Sequence, residues 1–145
     1  MVKITPLRAA EAAVLDAWRY EPPYDFYDGE DEPVQNPERF FVVRDDAGEL
    51  VGFYYFDERE DAVEIGLGLR PDLTGRGLGL QFFRDGVAFA RRTFRQERVV
   101  LNVAAFNERA IKVYERAGFH ETGRHMRRFE RWGEVEFVEM EERVP

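Results

Sequence analysis

A chain of 145 residues is one domain by length, and it is long enough to bury about two-thirds of the surface its unfolded form exposes. Its 44% apolar and 14% aromatic content fits a globular core and argues against disorder. Cysteine and serine are both absent, which excludes disulfides, thiolate metal sites and the usual acyl-enzyme nucleophiles; the net charge of −8 argues against nucleic acid as a partner and suits either plain solubility or a cationic small molecule.

Along the chain, Val2 to Thr5 is predicted as a short first strand. Pro6 suits the first turn of a helix running to about Tyr20, with Ala10, Val14 and Trp18 at helical spacing. The next stretch, WRYEPPYDFYD from Trp18 to Asp28, sets five aromatics around two adjacent prolines that bar a helix interior or a central strand. From Glu21 to Glu38 there are seven acids and no basic residue. Phe40 to Arg44 and Leu50 to Phe56 flank the turn DDAG and read as a hairpin. Ala62 to Leu69 is a further strand.

After PDLTGRGLG an apolar helix is predicted from about Gly77 to Phe94, with Phe83, Val87, Ala90 and Phe94 on one stripe. Arg98 to Val103 reads as a strand, and Asn107 to Ala117 as a helix closed by Gly118. Phe119 to Phe129 and Glu134 to Glu142 are strands around the turn RWGE. The order β, α, β-β-β, α, β, α, β-β contains a strand-helix-strand crossover, which makes the central pair parallel and the whole a mixed α+β sheet. No run approaches the ~20 apolar residues of a membrane span. MVKITPLRAAEAAV also lacks the apolar core of a signal peptide. A cytoplasmic location without a membrane partner is therefore expected.

Two segments carry chemistry. In TGRGLG, Thr74 to Gly79, alternating glycines let the backbone curl and expose successive N–H groups at a helix start, where the helix dipole adds to an anion site. A pyrophosphate fits such a cradle, and Arg76 adds a charge-assisted contact. No Lys-Ser/Thr follows, so this is not a P-loop, and Leu80 stands where a dinucleotide fingerprint wants its last glycine. A purely structural strand-to-helix turn reads equally well. In NVAAFNERAIKVYERAGF, Asn102 to Phe119, Asn107 suits an N-cap and Gly118 a helix end. Tyr114 lies two turns after Asn107 on one face beside Ile111, where a partly buried phenol wants a partner; core packing is the plain alternative.

The pair LGLRPDLTGRGLG and NERAIKVYERAGF, with the elements between them and the closing hairpin, resembles the GNAT superfamily of N-acetyltransferases over essentially residues 1–145 as one domain. The resemblance implies a mixed, mostly antiparallel sheet of six to seven strands, splayed between the fourth and fifth and flanked by about four helices. Acetyl-CoA is the implied cosubstrate, in the gap, with no metal. The backbone at Leu67, Gly68 and Leu69 would pair with the pantetheine arm. Thr74, Gly75, Arg76, Gly77, Leu78 and Gly79 would hold the pyrophosphate, Asn107 would contact the arm, and Tyr114 would face the sulfur. Two departures stand out. Thr74 replaces the Gln or Arg that often opens the glycine motif. Asn102 replaces the catalytic glutamate of the ribosomal-protein alanine N-acetyltransferases, cannot act as a base, and is left as a substrate-binding residue.

An amine of pKa near 10.4 is mostly protonated at pH 7, a shortfall of about 3 units or roughly 4–5 kcal/mol, so a base is useful. Glu64 is the candidate: it alternates with Val63, Ile65, Leu67 and Leu69, and shares its face with Gly66 and Gly68, which leave a flat space for a ligand. An ion-paired strand glutamate is the plain alternative. Tyr114 is the candidate acid for the departing thiolate. His120 and His125, five apart on a predicted strand, fall on opposite faces, so a shared metal site is not expected.

In the GNAT superfamily the segment after the first helix walls the acceptor site. Trp18, Tyr20, Tyr24, Phe26 and Tyr27 would then form an aromatic wall, with Glu21, Asp25 and Asp28 attracting a cationic amine; rings folded back on the core are the plain alternative. The expected function is acetyl transfer from acetyl-CoA to a primary amine by direct attack in a ternary complex, with a small-molecule amine favoured. Acetylation of a protein N-terminus or lysine, and a non-catalytic acyl-CoA-binding module, are the other readings. The protein is read as a monomer or homodimer.

Overall fold

A computed structural model describes residues 3–28, 33 and 35–142. Val2 and the acidic run Gly29 to Glu32 lie outside the described residues. In chain order come β1 (Lys3–Pro6), α1 (Ala9–Asp16), β2 (Phe40–Arg44), β3 (Leu50–Glu58), β4 (Val63–Leu69), α2 (Gly79–Phe94), β5 (Val99–Ala104), α3 (Glu108–Arg116), β6 (Phe119–Phe129) and β7 (Gly133–Glu142). Short 3-10 turns cover Tyr24–Tyr27, Pro37–Arg39 and Pro71–Leu73. Hydrogen bonding orders the strands β1-β2-β3-β4-β5-β7-β6. The ladder between β4 and β5 is parallel, joining Val63 to Val99 and Glu64 to Val100, as the α2 crossover requires. The pairs β1–β2, β2–β3, β5–β7 and β6–β7 are antiparallel.

The chain forms two compact units interleaved in sequence: Met1–Phe56 with Leu67–Arg76, and Asp57–Gly66 with Gly77–Pro145. In the first unit, Pro6 is the last residue of β1, opposite Phe41, and not the helix start that its fixed φ suggested. The helix begins three residues later and buries Glu11, Ala12 and Leu15, whereas Val14 is 47% exposed. The Ala10, Val14, Trp18 stripe is therefore wrong: in an alanine-rich helix nearly every face looks apolar, and only packing selects one. Leu15 joins Phe40 and Val42 in a core cluster against which Trp18, Phe53 and Tyr55 pack. Glu11 accepts from the Arg8 N–H at 2.9 Å and pairs with Arg44.

In the second unit, α2 buries Phe82, Phe83, Val87 and Ala90. Phe83 meets Phe119 of β6 edge-on at 4.9 Å. Each of these Phe and Val side chains contributes about 1.5–3 kcal/mol of burial. The helix starts at Gly79 and not at Gly77, because Gly77 has φ +77°, outside helical space. The β6–β7 register runs from Phe119↔Glu142 to Phe129↔Gly133 with one shift between Glu121 and Gly123. Thr122 is thus the extra residue of a bulge.

Candidate functional site

The turn that leads from β4 toward α2 folds as its glycines predict. Gly75 and Gly77 both take positive φ, at 74° and 77°, where a side chain would be strained. A Cβ at Gly77 would meet nothing within 4 Å, so its backbone borders open space. Thr74 Oγ1 donates to the Pro71 carbonyl at 2.8 Å, closing the 3-10 turn before the glycines. Arg70 braces the same corner, donating to Asp72 at 2.6 Å and to the Leu50 carbonyl at 3.1 Å. The hydrogen bond from Arg70 holds the Asp72 carboxyl below its ordinary range. Leu78, the N-cap of α2, supplies no side-chain cap, and the first-turn N–H groups of this 16-residue helix have no acceptor within the helix itself. Arg76 is exposed. Such a helix start fits an anionic group like a pyrophosphate.

Beside it in the second unit lies α3. A Cβ at Gly79 would sit 3.7 Å from Val113, so the two helices pack closely at the start of α2. Asn107 is the N-cap expected of it, its Oδ1 accepting from the Ala110 N–H at 3.2 Å. Tyr114 is half-buried, its ring 4.6 Å from that of Phe83.

Register places further residues on one face of the second unit. Glu64 is opposite Val100, and Asn102 lies two residues along from Val100, so both point to the same side. Asn102 Oδ1 is buried with no hydrogen-bond partner among the described residues, as is His120 Nδ1. Glu64 is ion-paired with Arg59, a residue the sequence did not single out. Its carboxylate therefore has one oxygen engaged. Just before β5, Arg98 bridges Asp61 of the β3–β4 turn and Glu141 of β7, both at 2.6 Å.

The two histidines are a correction. His120 is opposite Glu141 and His125 is opposite Phe137, four residues apart on β7, so both lie on one face. The Thr122 bulge adds the residue that reverses the parity of an odd spacing. They remain four ladder rows apart, and no group of three or more metal-ligating side chains occurs among the described residues. His125 stacks on Phe137 at 5.8 Å and accepts from Arg127 Nε at 3.0 Å.

In the first unit, Leu67, Gly68 and Leu69 are half-buried. The flat space expected over Gly68 is filled by the Phe53 ring: a Cβ there would lie 2.4 Å from Phe53 Cε1. Nothing local in sequence signals that contact between β3 and β4. Of the proposed wall, Trp18 packs on the core with its ring 6.2 Å from Phe53. Phe26 is 5% exposed and Tyr27 meets it edge-on at 5.1 Å. Tyr24 and Tyr27 are half-buried in the 3-10 turn. Asp28 accepts from the Tyr20 N–H at 2.9 Å. No described helix is long and apolar enough to cross a membrane.

Residues 7–119 match the model of the acetyltransferase (GNAT) family. The chain is 35% identical over 102 residues to the mycothiol acetyltransferase of Salinispora tropica, an alignment covering 66% of this chain and 33% of that protein. It thus spans about a third of the length of that relative. Identity is 26% over 124 residues to the spermidine N(1)-acetyltransferase of Vibrio cholerae, with 80% of this chain and 71% of that protein covered. A crystal structure of the spermidine/spermine N-acetyltransferase of Vibrio cholerae in complex with manganese ions superposes with a TM-score of 0.73 at 21% identity, over 97% of this chain and 91% of that one, a likeness of fold.

Proposed function

The chain belongs to the acetyltransferase (GNAT) family, and from that premise we propose that it transfers an acetyl group from acetyl-CoA to the primary amine of a small molecule, by direct attack in a ternary complex. The observation that carries the reading lies in the second unit. The uncapped start of α2 packs on α3 at Gly79 and Val113, on the helix that carries Tyr114. An anion-receiving helix end and a half-buried phenol on the helix packed beside it suit a phosphate-bearing thioester. The relatives are named for small molecules, mycothiol and spermidine, the latter a polyamine.

When bound, acetyl-CoA supplies a thioester carbon at which a C–N bond forms as the C–S bond breaks. Gly75 to Gly79 would receive the phosphate charge on backbone N–H groups, aided by the α2 dipole and Arg76. The Leu67 to Leu69 backbone would hold the arm, with Asn107 close to it. Glu64 would take the amine proton, through water, while Arg59 orients its other oxygen. Tyr114 would give its proton to the departing sulfur; a phenol near pKa 10 is a weaker acid than a thiol near 8.5, so the transfer depends on positioning. Tyr24 and Tyr27, with Asn102, would contact the acceptor; Trp18 and Phe26 would support them from the core. The whole would act as one domain over residues 1–145.

The test is CoA release followed with a thiol reagent, against polyamines, aminoglycosides, amino acids and short peptides. The protein contains no cysteine, so every thiol detected comes from the cosubstrate. Release with one small-molecule class is the expected result. Silence across the panel, with acetyl-CoA still raising the melting temperature, would overturn the small-molecule reading in favour of a protein acceptor or a non-catalytic binder.

A further inference from the structure

Tyr20 joins segments far apart in sequence. Its phenol donates to the Leu69 carbonyl at 2.8 Å, and its backbone N–H donates to the Asp28 carboxylate at 2.9 Å. The Leu69 carbonyl shares a peptide group with the Arg70 N–H, which donates to the Val51 carbonyl of β3 at 2.8 Å. In a trans peptide C=O and N–H point opposite ways. The carbonyl that Tyr20 takes therefore points away from β3, along the other edge of β4. Donation into one side of the peptide and out of the other polarises it, so each bond strengthens its neighbour.

We propose that Tyr20 is a positioning residue for the cofactor arm. Acting through Leu69, it fixes the end of the β4 edge that receives the arm; through Asp28, it makes that end move together with the acid-bearing aromatic loop at 20–28. Acceptor-side loop and cofactor-side strand thereby become one thermodynamic unit, so order imposed on either is felt by the other. The inference rests on the acetyl-CoA reading above.

Acetyl-CoA binding is measured by titration calorimetry on the wild type, Tyr20→Phe, Asp28→Ala, their double variant and Tyr55→Phe, with the melting temperature of each sample taken alongside. Tyr55 is the control: its hydroxyl accepts from Arg39 Nη1 at 2.9 Å, elsewhere in the same unit. Losing the Tyr20 hydroxyl is expected to raise the acetyl-CoA Kd about three- to tenfold, the value of one hydrogen bond. Tyr55→Phe is expected to leave the Kd unchanged. Asp28→Ala should raise it less, and the double variant should bind no worse than Tyr20→Phe alone, because Asp28 acts through Tyr20. An unchanged Kd in Tyr20→Phe while the wild type binds, or additive effects in the double variant, would overturn the inference and leave Tyr20 a structural contact. A wild type that does not bind acetyl-CoA would overturn the acetyl-CoA reading itself, and this inference with it.

Discussion

Gly68→Ala tests the packing at the end of β4. The new Cβ would lie 2.4 Å from Phe53 Cε1, 2.6 Å from Cζ and 3.3 Å from Cδ1, well inside contact distance. Gly68 is not among the glycines of positive φ, so the backbone accepts alanine and the cost falls on the ring. That ring has limited room to retreat, with Trp18 at 6.2 Å and Phe40 at 5.7 Å between centroids. Overpacking of this kind costs about 1–3 kcal/mol. The lower chain entropy of alanine in the unfolded state offsets about 0.4–1 kcal/mol of that. The net loss is about 1–2 kcal/mol, or a fall of roughly 2–8 °C in Tm for a chain of this size. Urea denaturation and thermal melting read it directly. Phe53→Leu removes the clashing edge, so the double variant should be less destabilised than the sum of the singles by about 0.5 kcal/mol or more. A Gly68→Ala Tm equal to wild type, or strict additivity of the pair, would refute the contact.

Glu11 predicts an acid limb of stability. Burial raises its pKa, but the hydrogen bonds from Arg44 and the Arg8 N–H outweigh burial and hold the carboxyl below its ordinary 4.5. A depressed folded-state pKa contributes stability that is complete above about 4.5 and is lost as pH falls through the folded value. Glu11→Gln should therefore cost about 1–3 kcal/mol at pH 7, with the gap closing below about pH 4.5; a gap constant across pH would sink the argument. Tyr114→Phe should lower kcat about a hundredfold with the acetyl-CoA Kd unchanged, as removal of a general acid requires; an unchanged kcat removes Tyr114 from the chemistry. Glu64→Gln should lower kcat/KM about a hundredfold at pH 7 and recover toward high pH, where the free amine is abundant; full activity at every pH would leave water as the base.

Elements were legible where local signals agree. β2 was read at Phe40–Arg44 because an aromatic and β-branched run ends at the turn DDAG, and β6 at Phe119–Phe129 because it lies between Gly118 and the turn RWGE, and both are the ranges found. The glycine turn and the Asn107 cap were legible too, since backbone sign and capping are local properties. The burial face of α1 was not: alanine gives no periodic contrast, and the cation that pairs with the buried Glu11 is Arg44, thirty-three residues away. The Thr122 bulge carries no signature of its own, yet it decides the face on which His125 stands. Around the site, the pairs Phe53 with Gly68 and Tyr20 with Leu69 are tertiary meetings, which single-sequence periodicity does not encode.

The interleaving of the two units constrains how this chain can be divided. The first unit takes Leu67–Arg76 from beyond a stretch that belongs to the second, and the second takes Asp57–Gly66 from within the first. Any single break in the backbone therefore leaves at least one unit short of a segment: a cut after Arg76 strips the second of its β4 contribution, and a cut after Phe56 strips the first of the segment bearing Leu69. A split-protein reporter cut at either point would keep β4 whole in one fragment and would have to return a segment to the unit that lacks it. Reassembly of the fragments would then report on the return of that segment to its unit.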